Sequence, residues 1–316
     1  MEIVKTINIA GQQVSAMSLG TVQLGMNYGI ANNSGKPDEE KSFAMLRTAL
    51  ESGVTSLDTA RVYGNAEDVL GKFFDTYKGK FPFITTKIPK IHGENLREIE
   101  QEIISSVETS LEHLRVPRVN CVMLHVAADL SAHGSDTALA LKSLLKHGYA
   151  DMVGASVYTA DDLNIMLESD VYTATQVPMS IFDERLLQSG MTEVLRQRGI
   201  VTFVRSVFLQ GLFFLDPEKI TDPILLEHAV PRIRMLRKLA DHEGISVPAL
   251  AIAFIRDIPG ITSLVLGADT PEQVLDNIRY FDTPPLSEHT RNVIQETFRD
   301  VDIPEIMKVL SRPKAQ

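Results

Sequence analysis

Short apolar runs alternate with amphipathic segments along most of the chain. The apolar runs end in Gly, Pro or polar residues, as buried strands do, whereas the amphipathic segments repeat apolar residues at helical spacing. Runs that are apolar on both faces are typical of parallel strands covered by helices. Eight runs are predicted to be strands: 15–21, 54–60, 81–88, 120–126, 151–157, 174–179, 201–207 and 263–268.

Helical periodicity fills the intervals between these strands. Two helices have clear start signals, since Thr159 precedes an acidic first turn and Thr270 precedes Pro271. No GxGxxG follows an early strand, and eight strand–helix units favour a closed (β/α)8 TIM barrel over an open dinucleotide-binding sheet. The predicted helices are 39–52, 66–77, 96–114, 136–148, 159–169, 183–199, 247–258 and 271–281.

Three segments lie outside the eight units. Residues 3–20 alternate around Ala10-Gly11, which predicts an N-terminal β-hairpin that leads into the first core strand. The seventh crossover, 212–244, is long enough for an extra helix or a lid, and 285–301 predicts a helix after the eighth unit. No linker or repeat divides the chain, so residues 1–316 are predicted to form one barrel domain.

Composition narrows the class of protein. The 316 residues are 44% hydrophobic and 23% charged, which is typical of a soluble globular protein. The formal charge of −10 argues against non-specific binding to nucleic acid or to an anionic membrane. Without a signal-peptide pattern or an apolar run of about 18 residues, a cytoplasmic protein without a membrane span is predicted. The single cysteine, Cys121, is expected to be a buried thiol.

Polar residues at the carboxyl ends of the predicted strands mark the expected site, because barrel enzymes place their sites there. Asp58 ends the second strand and Tyr63 follows it, while Lys87 and His125 end the third and fourth strands. A buried Lys87 needs a carboxylate, which Asp58 on the neighbouring strand supplies. A purely structural ion pair explains Lys87 and Asp58 about equally well, and a lone His125 is more often a core residue.

Taken together, these four side chains indicate proton transfer. Lys87, held by Asp58, would stabilise the tyrosinate form of Tyr63 and lower its pKa from about 10. His125 can hydrogen-bond the same reacting oxygen. The group can therefore exchange a proton with a carbonyl or alcohol oxygen. No metal site is expected, since Lys and Tyr are poor partners for a divalent ion and no His/Cys spacing recurs.

The chain resembles the aldo-keto reductase superfamily along nearly its whole length. The resemblance rests on LDTARVYGNAEDVLG, ITTKI, VMLHVAAD, VGASVYTADDL, TQVPMSIFDERL and LVLGADTPEQVLDNI, which follow in the family's order. It implies a barrel with an N-terminal hairpin that binds NADP(H) or NAD(H) and interconverts an aldehyde, ketone or sugar-derived carbonyl with its alcohol. By resemblance, Tyr63 is the general acid/base, Lys87 and Asp58 tune it, and His125 orients the carbonyl.

The resemblance also implies a set of cofactor contacts. Asp269 and Gln273 stand where NADP-preferring relatives often carry Arg or Lys, and a carboxylate there would repel a 2′-phosphate. We therefore hypothesise NAD preference or dual use. Alternatively, Asp269 only caps the last helix, or Arg279 reaches the phosphate. The implied contacts are Gly20, Thr21, Ser156, Gln176, Arg205, Ser206, Leu209, Gly211, Gly267, Ala268, Asp269, Thr270, Gln273 and Asn277.

Two further positions, Val157 and Arg205, depart from the commonest family pattern. Val157 stands beside Ser156 where many members have Asn, which removes one carboxamide hydrogen bond. Arg205 stands where many relatives place an aromatic ring against the nicotinamide, although a guanidinium can stack too.

The sequence says less about the substrate than about the cofactor and the catalytic residues. The long first loop, 22–37, should border the substrate pocket and offer Asn27 and Tyr28 as substrate contacts. Residues 127–135 and the seventh crossover should form the rest of the pocket wall. A hydroxylated substrate such as a sugar derivative is expected, although ordinary surface polarity explains these residues about as well. Two other classes stay open: a cofactor-binding regulatory subunit without turnover, and a barrel lyase or isomerase acting on phosphosugars.

Overall fold

The eight predicted strands close into a parallel barrel in the computed structural model, which describes residues 5–312. The first and last barrel strands pair with each other, so the strand order is β10-β3-β4-β5-β6-β7-β8-β9. The barrel strands are β3 (Met17–Gly20), β4 (Ser56–Asp58), β5 (Phe83–Ile88), β6 (Val119–Leu124), β7 (Ala150–Ser156), β8 (Tyr172–Pro178), β9 (Val201–Arg205) and β10 (Ser263–Leu266).

The predicted N-terminal hairpin is confirmed. β1 (Thr6–Ile9) pairs antiparallel with β2 (Gln12–Ser15), and both turn residues have positive φ, 49° at Ala10 and 83° at Gly11. Two consecutive positive values are what a tight hairpin turn requires. The first residues of the predicted hairpin segment, and residues 1–4 and 313–316 of the predicted domain, lie outside the described residues.

Helices cover the outside of the barrel. They are α1 (Val22–Gly25), α2 (Glu39–Glu51), α3 (Ala66–Thr76), α4 (Leu96–Leu114), α5 (Ala128–His133), α6 (Ser135–Lys146), α7 (Ala160–Met166), α8 (Arg185–Gln188), α9 (Met191–Gln197), α10 (Pro223–His228), α11 (Val230–Glu243), α12 (Val247–Arg256), α13 (Pro271–Tyr280), α14 (Glu288–Phe298) and α15 (Ile303–Leu310). The predicted caps are present, because the side chains of Thr159 and Thr270 each accept a backbone N–H of the first turn.

Several elements differ from the prediction. The helix predicted over 183–199 is broken into α8 and α9 at Gly190, whose φ is 74°. The long seventh crossover contains two helices, α10 and α11, and two short 3-10 turns. The helices α1, α5 and α15 were not predicted individually. The first two are too short to show a helical period, whereas Ile303, Ile306 and Leu310 of α15 do follow helical spacing.

Side chains along the barrel strands alternate between the barrel interior and the side covered by the helices. On β5, Phe83 points into the barrel interior and Ile84 packs under the surrounding helices. The interior layer also receives Ile9 and Val14 from the hairpin, which therefore plugs the amino-terminal end of the barrel. Cys121 belongs to this layer, so the predicted buried thiol is confirmed, and burial raises its pKa.

The described residues contain no helix with the length and apolar character needed to cross a membrane.

Candidate active site

Strand alternation brings a group of polar side chains to the carboxyl end of the barrel. Asp58 ends β4, Lys87 lies near the end of β5, and His125 directly follows β6. Gln176 and Arg205 occupy similar positions on β8 and β9. Each lies an even number of residues beyond an inward-facing residue of its own strand, so all five side chains point inward.

Lys87 is the centre of this group. Its Nζ donates to both carboxylate oxygens of Asp58 at 2.8 Å and to the Thr59 carbonyl at 3.0 Å. The same Nζ lies 3.4 Å from the Tyr63 hydroxyl. The Lys87 side chain is fully buried, and burial opposes its charge, but Asp58 and Tyr63 hold the pKa of Lys87 above its ordinary value. A charged ammonium is therefore fixed next to the phenol.

Gln176 is a second donor to Asp58. Its Nε2 lies 2.7 Å from Asp58 Oδ1, so the carboxylate binds both an ammonium and an amide. The resemblance implied Gln176 as a cofactor contact, on a strand predicted over 174–179 that runs Tyr172–Pro178. Its bond to Asp58 is a contact that the sequence did not predict.

The loop between β4 and α3 positions Tyr63. Gly64 has a φ of 57°, and a Cβ on it would lie 2.2 Å from the carbonyl oxygen of Gly25. A Cβ on Gly25 would in turn lie 1.7 Å from the Tyr63 carbonyl. Two glycines are therefore needed where the first and second barrel loops cross.

His125 packs against Tyr63. The two rings meet edge to face with their centroids 5.6 Å apart. Burial, followed by the positive charges of Lys87 and Arg205, lowers the pKa of His125 to about 4. The imidazole is consequently neutral near pH 7, where it can donate one hydrogen bond and accept another.

The pKa of Tyr63 differs from the sequence expectation. Lys87 does lower it, both by its charge and by its hydrogen bond, but burial has a larger effect in the opposite direction and Asp58 adds to it. The net pKa of Tyr63 is raised above 10.0. Tyr63 is therefore a protonated phenol at neutral pH, ready to donate rather than to accept a proton.

A cavity of about 800 Å³ extends from Tyr63 across the mouth of the barrel. It is bordered by the first barrel loop and by the seventh crossover, as predicted. Of the predicted site residues, the cavity is lined by Gly20, Thr21, Tyr28, Asp58, Tyr63, Gln176, Arg205, Ser206, Gly211, Gly267, Ala268, Asp269, Gln273 and Asn277.

Other predicted contacts lie outside this lining. Asn27 is exposed, and its Oδ1 accepts the backbone N–H of Lys36 at 2.7 Å within its own loop. Ser156 and Leu209 are buried, and Thr270 caps α13. Residues 127–135 were expected to border the pocket, but they form α5 and the start of α6 and do not line the cavity.

The end of the cavity near α13 is organised by hydrogen bonds. Asp269 accepts from Asn32 Nδ2 at 3.0 Å, and its backbone N–H donates to Gln273 Oε1 at 2.7 Å. Asn277 donates to the Gly267 carbonyl at 3.1 Å. The Asp269 carboxylate thus ties the first barrel loop to the turn before α13, which is more than the solvated cap considered from the sequence.

Several residues around the site were not found from the sequence. Gln23 packs against Gly267, where a Cβ would lie 2.1 Å from Gln23 Nε2. Lys219 and Asp276 line the cavity, and Tyr158 stacks on Arg205. The apolar runs carried no signal for them, because all four lie on loops or helix surfaces. No cluster of His, Cys, Asp or Glu that could hold a metal ion occurs within residues 5–312.

A parallel barrel with a buried Asp58–Lys87–Tyr63 cluster at the mouth of a long cavity defines a barrel enzyme with its site at the carboxyl ends of the strands. The Aldo/keto reductase family model matches residues 16–298. The chain belongs to this family of oxidoreductases.

The individual proteins that the chain resembles have low sequence identity to it. The chain is 25% identical over 285 residues to an aldo-keto reductase of Bacillus subtilis (strain 168), covering 84% of each protein. It is 24% identical over 307 residues to the L-glyceraldehyde 3-phosphate reductase of Escherichia coli (strain K12), covering 85% of each. A solved glycerol dehydrogenase from Gluconobacter oxydans has the same fold, with a TM-score of 0.75, 21% identity and coverage of 98% of both chains.

Proposed function

We propose that this protein is an NAD-preferring oxidoreductase that interconverts a small carbonyl compound and its alcohol, with Tyr63 as the general acid/base. The observation that carries this proposal is the position of Lys87 Nζ, 2.8 Å from Asp58 and 3.4 Å from the Tyr63 hydroxyl. A lysine and a tyrosine paired in this way at the end of a cavity are suited to proton transfer.

The side chains have separate tasks in this proposal. In the direction of reduction, the Tyr63 hydroxyl donates its proton to the substrate oxygen, and the buried Lys87 ammonium stabilises the phenolate that forms. Asp58 keeps that ammonium charged and in place. Neutral His125 donates a hydrogen bond to the same oxygen and so orients the carbonyl. In the direction of oxidation the same groups return the proton.

The residues present fit a nicotinamide dinucleotide, which would supply or accept the hydride. The cavity has the volume for such a ligand. Gly20 and Gly267, at the carboxyl ends of β3 and β10, line it and add no side chain of their own to its wall. The ten-residue helix α13 starts at that wall, and a helix amino terminus favours phosphate.

The charges near α13 support a preference for NAD. Asp216, Asp269 and Asp276 line the cavity, while Lys219 is mostly exposed and pairs with Asp216 at 3.7 Å. Arg279, which the sequence left as a possible phosphate ligand, pairs instead with Asp276. A 2′-phosphate would meet these carboxylates, whereas a 2′-hydroxyl can donate to one of them.

The proposed substrate is a small hydroxylated aldehyde or ketone. Tyr28 and Gln210 give polar groups to the part of the cavity around Tyr63 and Arg205. The names of the relatives, an L-glyceraldehyde 3-phosphate reductase and a glycerol dehydrogenase, support a substrate of this size.

A paired titration with NADH and NADPH, followed by a carbonyl substrate screen, tests the proposal. We expect tighter binding of NADH, and equal or tighter binding of NADPH would contradict the preference. With an active substrate, Tyr63→Phe should lower kcat by about 10²- to 10⁴-fold while the Kd of the cofactor stays within about two-fold, as the ring still packs on His125.

The matched control is Tyr149→Phe, whose hydroxyl bonds Glu108 at the opposite end of the barrel. Full activity of Tyr63→Phe would refute the proton-transfer role. Tight cofactor binding without turnover of any carbonyl would favour the regulatory alternative.

A further inference from the structure

Arg205 has a positive charge that the described residues do not neutralise. Within residues 5–312 it forms no ion pair, and its Nη2 is buried without a hydrogen-bond partner. Its only polar side-chain contact among these residues is a long one, 3.4 Å from Nη1 to Ser206 Oγ. A buried donor that lacks an acceptor is costly, and an unpaired charge is more so. Arg205 is half-buried, whereas the fully buried cation of the site, Lys87, is paired with Asp58.

The Tyr158 ring packs against the Arg205 guanidinium. The Arg205 Cζ lies 4.4 Å from the centroid of the Tyr158 ring, and Tyr28 lines the same cavity as Arg205. Burial, opposed by Arg205, raises the pKa of Tyr28 to about 12. The site therefore presents a stacked guanidinium and a protonated phenol, both of which can donate to an oxyanion.

The location of Arg205 indicates which ligand this group meets. Arg205 ends β9 on the inner side of the barrel, and its charge acts on both Tyr63 and His125. The phosphate-binding features of the cavity lie instead at β3, β10 and α13. In a dinucleotide the ribose separates the phosphates from the reactive ring, so an anionic group that meets Arg205 next to Tyr63 is not a cofactor phosphate and would belong to the substrate.

We propose that Arg205 binds an anionic group of the substrate, a carboxylate or a phosphate a few bonds from the reacting carbonyl. This proposal rests on the function proposed above. The planar fork of Arg205 can bind such a group through two parallel hydrogen bonds. Tyr28 donates a further hydrogen bond to the same group. The substrate class is thus an aldehyde or ketone that carries a negative charge.

Matched pairs of aldehydes test this proposal on cofactor-saturated enzyme. Succinic semialdehyde and butanal form the carboxylate pair, and glycolaldehyde phosphate and glycolaldehyde form the phosphate pair. For each pair the readout is the ratio of kcat/KM for the anionic compound to that for the neutral one. The pair with the higher ratio in the natural protein identifies the anion.

We expect Arg205→Met to lower that ratio by about 10- to 100-fold, because methionine preserves the packing on Tyr158 without the charge. Arg205→Lys should recover only part of the ratio, since it restores the charge without the planar fork. Arg196→Met, on the exposed face of α9, is the matched control and should change neither member of a pair.

Two results would overturn the anion site. One is an unchanged ratio in Arg205→Met for both pairs. The other is an equal loss for both members of a pair together with a weaker Kd for the cofactor, which would make Arg205 a cofactor contact. If no aldehyde is turned over, the proposed function fails and calorimetry decides: glycolaldehyde phosphate should bind better than glycolaldehyde, and Arg205→Met should abolish the difference. Equal binding would then refute the anion site independently.

Discussion

Lys87 and Glu184 are both buried ionisable residues, but within residues 5–312 only Lys87 forms a salt bridge. Lys87 bonds both oxygens of Asp58, and Gln176 donates to the same carboxylate. Lys87 therefore keeps its charge. Because both ions of the pair are removed from water, the pair adds little to the stability of the fold. Glu184 lies just before α8, is 4% exposed and does not line the cavity. Burial raises the pKa of Glu184 by more than Gln295 and Arg299 lower it, so its contribution to stability depends on pH.

The pH dependence of Glu184 has a definite sign. Burial raises its pKa from 4.5 to about 7. Because the folded pKa exceeds the unfolded one, the unfolded state ionises first, and stability falls as pH rises from about 4.5 to 7. Glu184→Gln should therefore match the natural protein at pH 4.5 and be more stable by about 1–3 kcal/mol at pH 8.

Thermal unfolding at several pH values measures this difference. Glu168→Gln, at an exposed position, is the control and should show a small difference that does not vary with pH. A stability gain of Glu184→Gln that is the same at pH 4.5 and pH 8 would contradict the assigned pKa.

At the scale of elements, the strands were predictable and the loops were not. A strand such as 120–126 is apolar on both faces in any barrel, so its pattern survives without tertiary information. The break between α8 and α9 depends on a positive φ at Gly190, which the sequence permits but does not require. The contacts of Asn27 and Asn32 depend on how a long loop folds back on itself, and no periodicity encodes that.

Gly64, in the loop between β4 and α3, gives a prediction at this scale, and Gly53, in the loop before β4, is its control. Both have positive φ, 57° at Gly64 and 91° at Gly53, but a Cβ on Gly53 meets nothing within 4 Å. Gly53→Ala should therefore cost about 1 kcal/mol from backbone strain alone. Gly64→Ala should cost more, because its Cβ would collide with the Gly25 carbonyl.

The two variants also differ in their effect on the site. Gly64→Ala should lower kcat as well, since relief of the collision displaces Tyr63, whereas Gly53→Ala should keep it. Denaturant unfolding and a turnover assay distinguish them. Equal losses in both variants would show that the crossing of the first and second loops does not position Tyr63.

The whole molecule separates stability from function along the barrel axis. The site occupies the carboxyl ends of the strands, while Ile9 and Val14 of the hairpin seal the opposite end. The sequence predicted both the hairpin and the residues of the Asp58–Lys87–Tyr63 cluster, because strand parity and order determine them. It could not predict the raised pKa of Tyr63, since that depends on how deeply neighbouring loops bury the phenol.

Val14→Ala tests this separation. Val14 is fully buried, so the loss of its methyl groups should reduce the free energy of unfolding by about 1–3 kcal/mol. Ile7→Ala, with Ile7 39% exposed, should have a much smaller effect. In both variants kcat/KM below the unfolding transition should stay unchanged. A selective loss of activity in Val14→Ala would show that the plug reaches the site.

The pairing of β3 with β10 has a consequence for synthesis on the ribosome. Met17 pairs with Leu264 and Leu19 with Leu266, so the second edge of β3 has no partner until nearly the whole barrel has been translated. Unpaired strand edges attract other chains, and such exposure is longest in large proteins. Gly20 and Gly267 lie next to each other across this last seam, and both line the cavity. The nascent chain should therefore need protection of its β3 edge, and it should acquire a binding site only when Leu266 has left the exit tunnel.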